Sequence, residues 1–225
     1  DQPSYRKLAR AKQMALAAAK QCVEGAGFDV ASAPFEVGVV LGFTQGEIQV
    51  LQACADQLES GGLEDSHARA FAEFAPSTIP QAIASHFKAY GPNLSIGNAC
   101  GAGNFAIGQA LDILRHGEAT AMIAGGADAF SRAGFAGFAR LGALAPDVPR
   151  PFSIDRKGMV PGEGAGMLFL ETLESAKRRG ASIYAEIKGY GESCDAHHAT
   201  QPDPQGIGRA IRSALRNADA SPEQV

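Results

Sequence analysis

The sequence has no concentrated positive charge and no cysteine pattern of the kind that marks a metal site. Its 20 lysines and arginines are outnumbered by 24 acidic residues, and they form no basic run. This balance argues against nucleic acid as the main partner. The four cysteines are scattered and include no C-x-x-C pair. Such cysteines are typical of a reducing compartment, so we expect a cytoplasmic protein without a bound metal.

Long apolar runs are also missing. No stretch approaches the roughly 18 consecutive apolar residues of a membrane span, and no signal peptide opens the chain, so we expect no membrane attachment. What the 225 residues do contain is 45% hydrophobic residues and 27 glycines. This composition is sufficient for a packed core with many tight turns between strands and helices.

Apolar segments of two kinds alternate along the chain. Short continuous runs predict strands buried on both faces, and longer segments with a 3.6-residue period predict amphipathic helices. The predicted strands are residues 35–42, 94–96, 120–124 (ended by Gly125 and Gly126), 167–170 and 183–190. The predicted helices are residues 5–24, 45–58, 66–74, 79–88, 105–114, 174–179 and 206–217, with a loop and short helix in 130–144. This order indicates an α/β protein with a mainly parallel sheet covered on both faces.

Residues 93–104 combine a strand, a tight turn and the start of a helix. Leu94 and Ile96 lead into a turn that carries Cys100, and a helical apolar face begins at Phe105. A thiol at this place is near unpaired backbone N–H groups and the positive end of the helix dipole. Both favour the thiolate and make the sulfur a nucleophile. A buried, inert cysteine that merely precedes a helix fits the same spacing.

Several motifs together resemble the β-ketoacyl synthase family of the thiolase-like superfamily. They occur in the family's order and intervals from about residue 35 to the C-terminus. They are Asn98-Ala99-Cys100-Gly101-Ala102-Gly103, Ala124-Gly125-Gly126-Ala127-Asp128, Arg150-Pro151-Phe152, Asp155-Arg156, Gly162-Glu163-Gly164-Ala165-Gly166, Ala185-Glu186, Gly189-Tyr190-Gly191 and Asp195-Ala196-His197-His198. One such motif alone is weak evidence, whereas the ordered set is specific.

The resemblance implies a thiolase-like fold with layered α-β-α architecture and a mostly parallel mixed sheet. Residues 1–180 are expected to form the N-terminal half that carries the nucleophile, and residues 181–225 the start of the C-terminal half. The family's first strand and most of its C-terminal half have no counterpart here. Its two histidine motifs, Asn-Ala-His-Gly-Thr and a Gly-His segment preceded by lysine, are also absent. We therefore expect decarboxylation by this chain alone to be badly impaired.

The resemblance also implies an activity and partners. Cys100 would accept an acyl group from the phosphopantetheine thioester of an acyl carrier protein, and a malonyl unit would then lose CO2 and extend the chain. No cofactor would be bound directly. Family members are typically homodimers that pair through the strand before the nucleophile, here residues 93–97. Carrier docking would use basic residues, for which the candidates are Lys177, Arg178 and Arg179 or Arg209, Arg212 and Arg216.

Four further residues are expected to bind substrate. Phe138 and Met159 are candidates for the acyl pocket, although core packing explains both equally well. His198 and Thr200 belong to the loop that, by resemblance, lies near the acyl and pantetheine entrance. Glu163 is expected to be a buried structural carboxylate, with a general-base role as the alternative. Its G-x-G-x-G motif precedes a strand, which excludes the dinucleotide-binding pattern.

Two other functions fit the same residues. The chain would serve as a non-condensing partner of a competent synthase, which the absent histidines favour and the presence of Cys100 disfavours. Alternatively, it would be a thiolase-like acyltransferase that only shuttles acyl groups through Cys100. Acyl length, starter unit and the choice between fatty-acid and polyketide assembly do not follow from these residues.

Overall fold

The computed structural model describes residues 8–61, 74–198 and 201–225. One compact unit extends to Arg178 and a second runs from Arg179 to Val225. The helices are α1 (Arg10–Ala26), α2 (Ile48–Ser60), α3 (Thr78–Phe87), α4 (Ala102–Arg115), α5 (Arg132–Arg140), α6 (Leu173–Arg178) and α7 (Pro204–Ala218). The strands are β1 (Val37–Phe43), β2 (Asn93–Gly97), β3 (Ala121–Asp128) and β4 (Gly164–Glu171). Among the described helices, none has the length and apolar character needed to cross a membrane.

A four-stranded sheet in the order β2-β1-β3-β4 forms the centre of the first unit. β1 is parallel to both β2 and β3, whereas β4 is antiparallel to β3. The mostly parallel mixed sheet expected from the resemblance is confirmed. The parallel strands β1, β2 and β3 all end at the same edge of the sheet, where β4 begins.

Two hydrophobic cores lie on opposite faces of this sheet. Val37, Val39 and Leu41 of β1 pack with α1 and α3, and Val40 packs with α4 on the other side. Successive side chains of a strand point to opposite faces, which is why all seven residues of β1 are buried. Each such buried side chain contributes about 1.5–3 kcal/mol, so the helices on both faces fix the sheet.

β3 continues through Gly125 and Gly126 to Asp128, so the prediction that these glycines end the strand is wrong. Neighbouring backbone leaves no room for a side chain at Gly125 and crowds one at Gly126. A Cβ on Gly125 would lie 2.0 Å from the carbonyl oxygen of Gly166, and one on Gly126 would lie 3.2 Å from that of Gly42. The two glycines therefore permit close approach of backbones within a strand.

The first helix begins and ends later than predicted. α1 starts at Arg10, and residues 5–7 of the predicted helix lie outside the described residues. Gly25 is inside the helix. The end is at Gly27, whose φ of 59° is left-handed and whose N–H donates to the carbonyl oxygen of Glu24. Glycine adopts this conformation without the steric cost that a Cβ would bring.

Other predicted helices differ only at their ends or cannot be compared. α3 agrees with the helix predicted over 79–88, with Pro80 in its first turn. The helix predicted over 66–74 falls almost entirely outside the described residues. α2 begins at Ile48 rather than residue 45, because the turn after β1 occupies the intervening positions.

The second unit contains α7 and an irregular segment. α7 begins at Pro204, where the side chain of Asp203 accepts a hydrogen bond from the N–H of Gln205. Residues 183–190, predicted as a strand, form no strand pairing within the described part of the chain, so that prediction is wrong. A strand needs neighbouring backbone as hydrogen-bond partner. Gly189 packs against α7 instead, where a Cβ would lie 2.4 Å from the carbonyl oxygen of Ala214.

Candidate active site

Cys100 lies in the sharp turn between β2 and α4. β2 ends at Gly97, and a short 3-10 helix, Ala99–Gly101, leads directly into α4. Ala99 has a left-handed φ of 44°, a conformation that costs a residue with a side chain about 1–3 kcal/mol. Cys100 is exposed at this turn. The predicted order of strand, elbow and helix is confirmed.

An open pocket of about 290 Å³ contains Cys100. It is built from the carboxyl ends of β1 and β3, the first residues of β4 and the start of α4. The lining residues are Gly42, Phe43, Thr44, Ala99, Cys100, Ala102, Gly103, Gly126, Ala127, Asp128, Gly164, Ala165 and Gly166. Clefts outside the carboxyl ends of parallel strands are the usual ligand sites of α/β sheets. Cys100 therefore lines an open space at the edge of the sheet where ligands of such folds usually bind.

Glycines let α4 approach the sheet beside Cys100. A Cβ on Gly42 would lie 2.1 Å from the carbonyl oxygen of Ala102, so β1 contacts the start of α4 backbone to backbone. Gly164 and Gly166 line the pocket from β4. A Cβ on Gly164 or Gly166 would meet nothing within 4 Å, so the interpretation of the glycine-rich stretch as backbone that passes close to Cys100 stays a prediction.

Asp128, the last residue of β3, anchors the turn that follows β1. Its Oδ2 accepts a hydrogen bond from the N–H of Thr44 at 2.7 Å, and its Oδ1 accepts from those of Gln45 and Gly46 at 2.7 and 3.0 Å. Both Thr44 and Asp128 line the pocket. Asp128 belongs to one of the family motifs, and the sequence predicts no role for it. The only available signal was an acidic side chain at the end of a buried strand.

A second polar link joins the same turn to α5. Ser131 Oγ donates to the side-chain oxygen of Gln45 and accepts a hydrogen bond from the N–H of Gly134 at 2.9 Å. Ser131 is thus the N-cap of α5 and a partner of Gln45 at once. The turn after β1 is therefore held by both β3 and α5.

The other three cysteines lie outside this pocket. Cys54 is buried, Cys194 is exposed in the second unit, and none of the four is in a disulfide. Cys22 is half-buried on α1, and desolvation by burial raises its pKa to about 11. Cys22 is therefore a protonated thiol at neutral pH, whereas Cys100 combines exposure with a pocket.

Comparison with known families identifies the chain. Residues 1–176 match the model for the β-ketoacyl synthase N-terminal domain, and residues 184–225 match the model for the β-ketoacyl synthase C-terminal domain. The chain belongs to the β-ketoacyl synthase family.

The family relatives are longer than this chain. A 3-oxoacyl-acyl-carrier-protein synthase 2 of Staphylococcus aureus is 37% identical over 238 residues, an alignment that covers 100% of this chain and 58% of that protein. The chain thus spans little more than half the length of the curated relatives it matches.

Solved structures of ketosynthases have the same fold. The ishigamide ketosynthase/chain length factor superposes with a TM-score of 0.91 at 40% identity, covering 97% of this chain and 55% of that one. A type II polyketide ketosynthase, solved with its acyl carrier protein and bound to a hexaketide, gives a TM-score of 0.89 at 30% identity, covering 96% and 57%. The thiolase-like fold expected from the sequence motifs is confirmed.

Two of the residues predicted to bind acyl chains in this family lie close to each other. Phe138 is in α5, and its carbonyl oxygen accepts a hydrogen bond from the N–H of Ala143 at 3.0 Å. The carbonyl oxygen of Ala143 accepts from the N–H of Met159 at 2.9 Å. Neither Phe138 nor Met159 lines the pocket that contains Cys100. Their role in acyl binding stays a prediction.

The other two predicted substrate-binding residues belong to the second unit. His198 is exposed and follows Ala196, whose φ of 50° is left-handed. Thr200 lies outside the described residues. The carboxylate of Asp195 accepts a hydrogen bond from the N–H of Asp203 at 2.8 Å. Within the described residues, no group of three or more histidine, cysteine or acidic side chains is arranged to hold a metal ion.

Glu163 of the glycine-rich family motif is engaged in an ion pair. Its Oε1 lies 2.6 Å from Nη2 of Arg10, and its Oε2 accepts a hydrogen bond from the N–H of Phe130 at 3.3 Å. These bonds, that of Arg10 first, lower the pKa of Glu163. The side chain is 31% exposed, so the expectation of a buried carboxylate is wrong. A carboxylate held in its charged form by arginine is suited to a structural role and poorly suited to accept a proton.

Proposed function

We propose that this chain supplies the acyl-accepting cysteine of a β-ketoacyl synthase. The observation that carries the proposal is the position of Cys100: it is exposed, at a strained turn before a helix, and lines a pocket of about 290 Å³. Family membership and the similarity to 3-oxoacyl-acyl-carrier-protein synthase 2 support it. The reaction class is acyl transfer in fatty-acid or polyketide assembly.

In the first step, the thiolate of Cys100 attacks the carbonyl carbon of an acyl thioester. A new carbon–sulfur bond forms, the bond to the pantetheine sulfur breaks, and the pantetheine thiol leaves with the proton that Cys100 has lost. The N–H of Cys100 would be one donor to the oxyanion of the tetrahedral intermediate. One such donor is worth about 2.7–4 kcal/mol of barrier.

The second step is decarboxylative condensation. A malonyl thioester loses CO2, its carbanion attacks the acyl carbon, and Cys100 leaves as thiolate. By the family resemblance this step needs two histidines from motifs that do not occur in these 225 residues. Acyl transfer to Cys100 is accordingly the step that the residues of this chain support.

Four residues are proposed to contact the substrate beyond the nucleophile. Phe138 and Met159 would border the acyl chain, and the backbones of both are hydrogen-bonded to that of Ala143. His198 and Thr200 would contact the acyl-pantetheine portion. No cofactor is proposed to bind directly, because the phosphopantetheine arrives on the carrier protein.

An acyl carrier protein is the proposed donor. One structural relative was solved as a ketosynthase in complex with its acyl carrier protein. Carrier proteins are acidic, and α7 has three arginines at one-turn spacing, namely Arg209, Arg212 and Arg216. The alternative docking group is Lys177, Arg178 and Arg179 at the end of α6.

We also propose a dimer formed through β2. This strand is at the edge of the sheet and pairs only with β1 among the described strands, and Leu94 is 42% exposed. An unpaired edge is a template for a strand of another copy or of a related chain. One structural relative is a ketosynthase/chain length factor assembly. The four unpaired cysteines support a reducing, cytoplasmic setting for this dimer.

Mass spectrometry after mixing with an acyl thioester and a malonyl thioester tests the proposed function. A Cys100 adduct that is then extended by two carbons supports the condensing enzyme. An adduct without extension supports the acyl shuttle, the second candidate, for which an exposed Cys100 is sufficient. Absence of any adduct would contradict both and favour a non-condensing partner.

A further inference from the structure

The turn after β1 presents three consecutive backbone N–H groups to a single carboxylate, that of Asp128. These groups, from Thr44, Gln45 and Gly46, lie beyond the end of β1 at Phe43 and before the start of α2. They are therefore outside the ladder of the sheet and need another acceptor. Successive amides that converge on one anion form a concave anion-binding arrangement. In this protein the anion is a side chain located 82 to 84 residues away in sequence.

Only a carboxylate satisfies all three donors. Ionised aspartate has two acceptor oxygens with about four lone-pair sites and no hydrogen of its own. An asparagine would place an NH2 group against either the N–H of Thr44 or those of Gln45 and Gly46. The arrangement consequently depends on the charge and acceptor number of Asp128 in addition to its size.

The anchored turn forms part of the wall of the Cys100 pocket. Thr44 and Asp128 both line it, and their strands are adjacent, with Gly42 paired to Gly126 in register. Gly42 in turn contacts the start of α4. A shift of the turn would therefore move the pocket wall relative to the thiol, and it would also disturb Gln45, which is bonded to the N-cap of α5.

We infer that Asp128 is a positioning residue for acyl transfer: by holding the turn of residues 44–46, it keeps Thr44, which lines the pocket, in place while Cys100 attacks an acyl thioester. This inference rests on the proposed function of Cys100. Asp128 acts through the turn and is assigned no contact with the reacting atoms. A shift of the pocket wall by about 1 Å can lower the rate of acyl transfer about 100-fold.

The test compares Asp128→Asn with Asp112→Asn in the full chain. Asp112 is an exposed aspartate on α4 outside the pocket, so the control makes the same chemical change elsewhere. Two rates are measured by mass spectrometry: acylation of Cys100 by an acyl-pantetheine thioester, and alkylation of Cys100 by iodoacetamide. The second reagent is small and reports only on whether the thiol is ionised and reachable.

For Asp128→Asn we expect acylation to fall about 100-fold while alkylation changes less than about threefold, and for Asp112→Asn we expect neither rate to change. Asp128→Glu restores the carboxylate on a longer arm, so its acylation rate is expected between those of wild type and Asp128→Asn. Hydrogen exchange at the amides of residues 44–46 should accelerate in Asp128→Asn, with less acceleration in Asp128→Glu.

Three results would overturn the inference. The first is a folded Asp128→Asn variant that is acylated at the wild-type rate. The second is an equal fall of acylation and alkylation, which would mean that Asp128 affects the thiol and not the wall. If Asp128→Asn does not fold, a wild-type acylation rate in Asp128→Glu is the third. A wild-type protein that takes up no acyl group at all would instead refute the proposed function, and this inference with it.

Discussion

The turn before α4 and the C-terminal part of α1 each carry a cysteine, and the two differ in exposure and in surroundings. Cys100 follows a left-handed residue, is exposed and lines a pocket at the edge of the sheet. Cys22 is half-buried in a regular helix, and burial raises its pKa to about 11. The thiol of Cys22 is therefore protonated at pH 7.

This difference arises from backbone context. The turn leaves the thiol of Cys100 outside the packed layers, because Gly42 and Gly126 let α4 lie directly on the sheet behind it. On α1, by contrast, the neighbours of Cys22 face the core: Ala15, Ala19 and Val23 are all buried. If the backbone around each cysteine causes the difference in exposure, variants in the two regions should have different effects.

The largest expected effect is on the transfer of an acyl group. Cys100→Ala should abolish labelling by an acyl thioester, because the nucleophile is removed. The matched variant Cys22→Ala should label like wild type, since its thiol is protonated and outside the pocket. Intact-mass measurement after incubation gives both results, and labelling of Cys100→Ala to the wild-type extent would remove the distinction between the two cysteines.

The second-largest expected effect is on the backbone contact between β1 and the start of α4, which lies behind Cys100. Gly42→Ala puts a Cβ 2.1 Å from the carbonyl oxygen of Ala102, so the start of α4 must move. We expect a loss of about 1–3 kcal/mol or more in the free energy of unfolding, measured with urea, together with slower acylation.

Gly137→Ala is the control for this variant. It lies in α5 and meets nothing within 4 Å, so it should be neutral or stabilise the protein by about 0.5–1 kcal/mol. Equal stability of Gly42→Ala and Gly137→Ala would contradict the account of the helix–sheet contact.

The third effect is the pH dependence of Cys22. Its folded pKa is raised from 9.0 to about 11, so alkylation of Cys22 should increase about tenfold per pH unit from pH 7 upward and level off only near pH 11. The sign for stability follows: the protonated thiol is favoured in the folded state, so this contribution is present below pH 9 and is lost as the pH rises from 9 to about 11. Peptide mapping after timed alkylation checks the rate, and a plateau near pH 9 would show that burial does not protect Cys22.

The smallest expected effect is on the free energy of unfolding and comes from the ion pair between Arg10 and Glu163, which links α1 to the start of β4. Arg10 begins α1, and Glu163 immediately precedes β4, which lines the Cys100 pocket. The folded pKa of Glu163 is lowered from 4.5, so the pair stabilises the protein above that pH and loses its effect as the pH falls through the lowered value.

Glu163→Gln should therefore reduce the unfolding free energy slightly at pH 7 and have no effect in acid. Because the pair is exposed, the loss should also shrink with added salt. Urea unfolding at pH 7 and in acid measures it, and an equal loss at both values would mean that the pair is not the cause.

The sequence predicted the elements that depend on local pattern. β1 was found from its continuous apolar run, and the elbow was found from Leu94, Ile96 and the helical face after Cys100. Such patterns predict helices and strands well because the apolar or polar character of each residue reflects its own burial. The motifs of the family added the thiolase-like fold, which periodicity alone leaves open, and the nucleophile role of Cys100 stays a prediction.

The predictions that are wrong concern residues whose structure is decided by backbone far away in the sequence. Gly125 and Gly126 continue β3 because Gly166 and Gly42 lie against them, and nothing in the local sequence indicates those neighbours. Asp128 binds amides more than 80 residues away, and Arg10 pairs with a glutamate 153 residues away. Residues 183–190 alternate like a strand, but alternation does not supply the hydrogen-bond partner that a strand requires.

The central claim is that the sulfur of Cys100 accepts the acyl group. Tandem mass spectrometry of the wild-type protein after brief exposure to an acyl-pantetheine thioester at pH 7 locates the adduct directly. The account predicts one acyl group on the peptide that contains Cys100 and none on those containing Cys22, Cys54 or Cys194. An adduct on Cys194, which is also exposed, at the expense of Cys100 would contradict it.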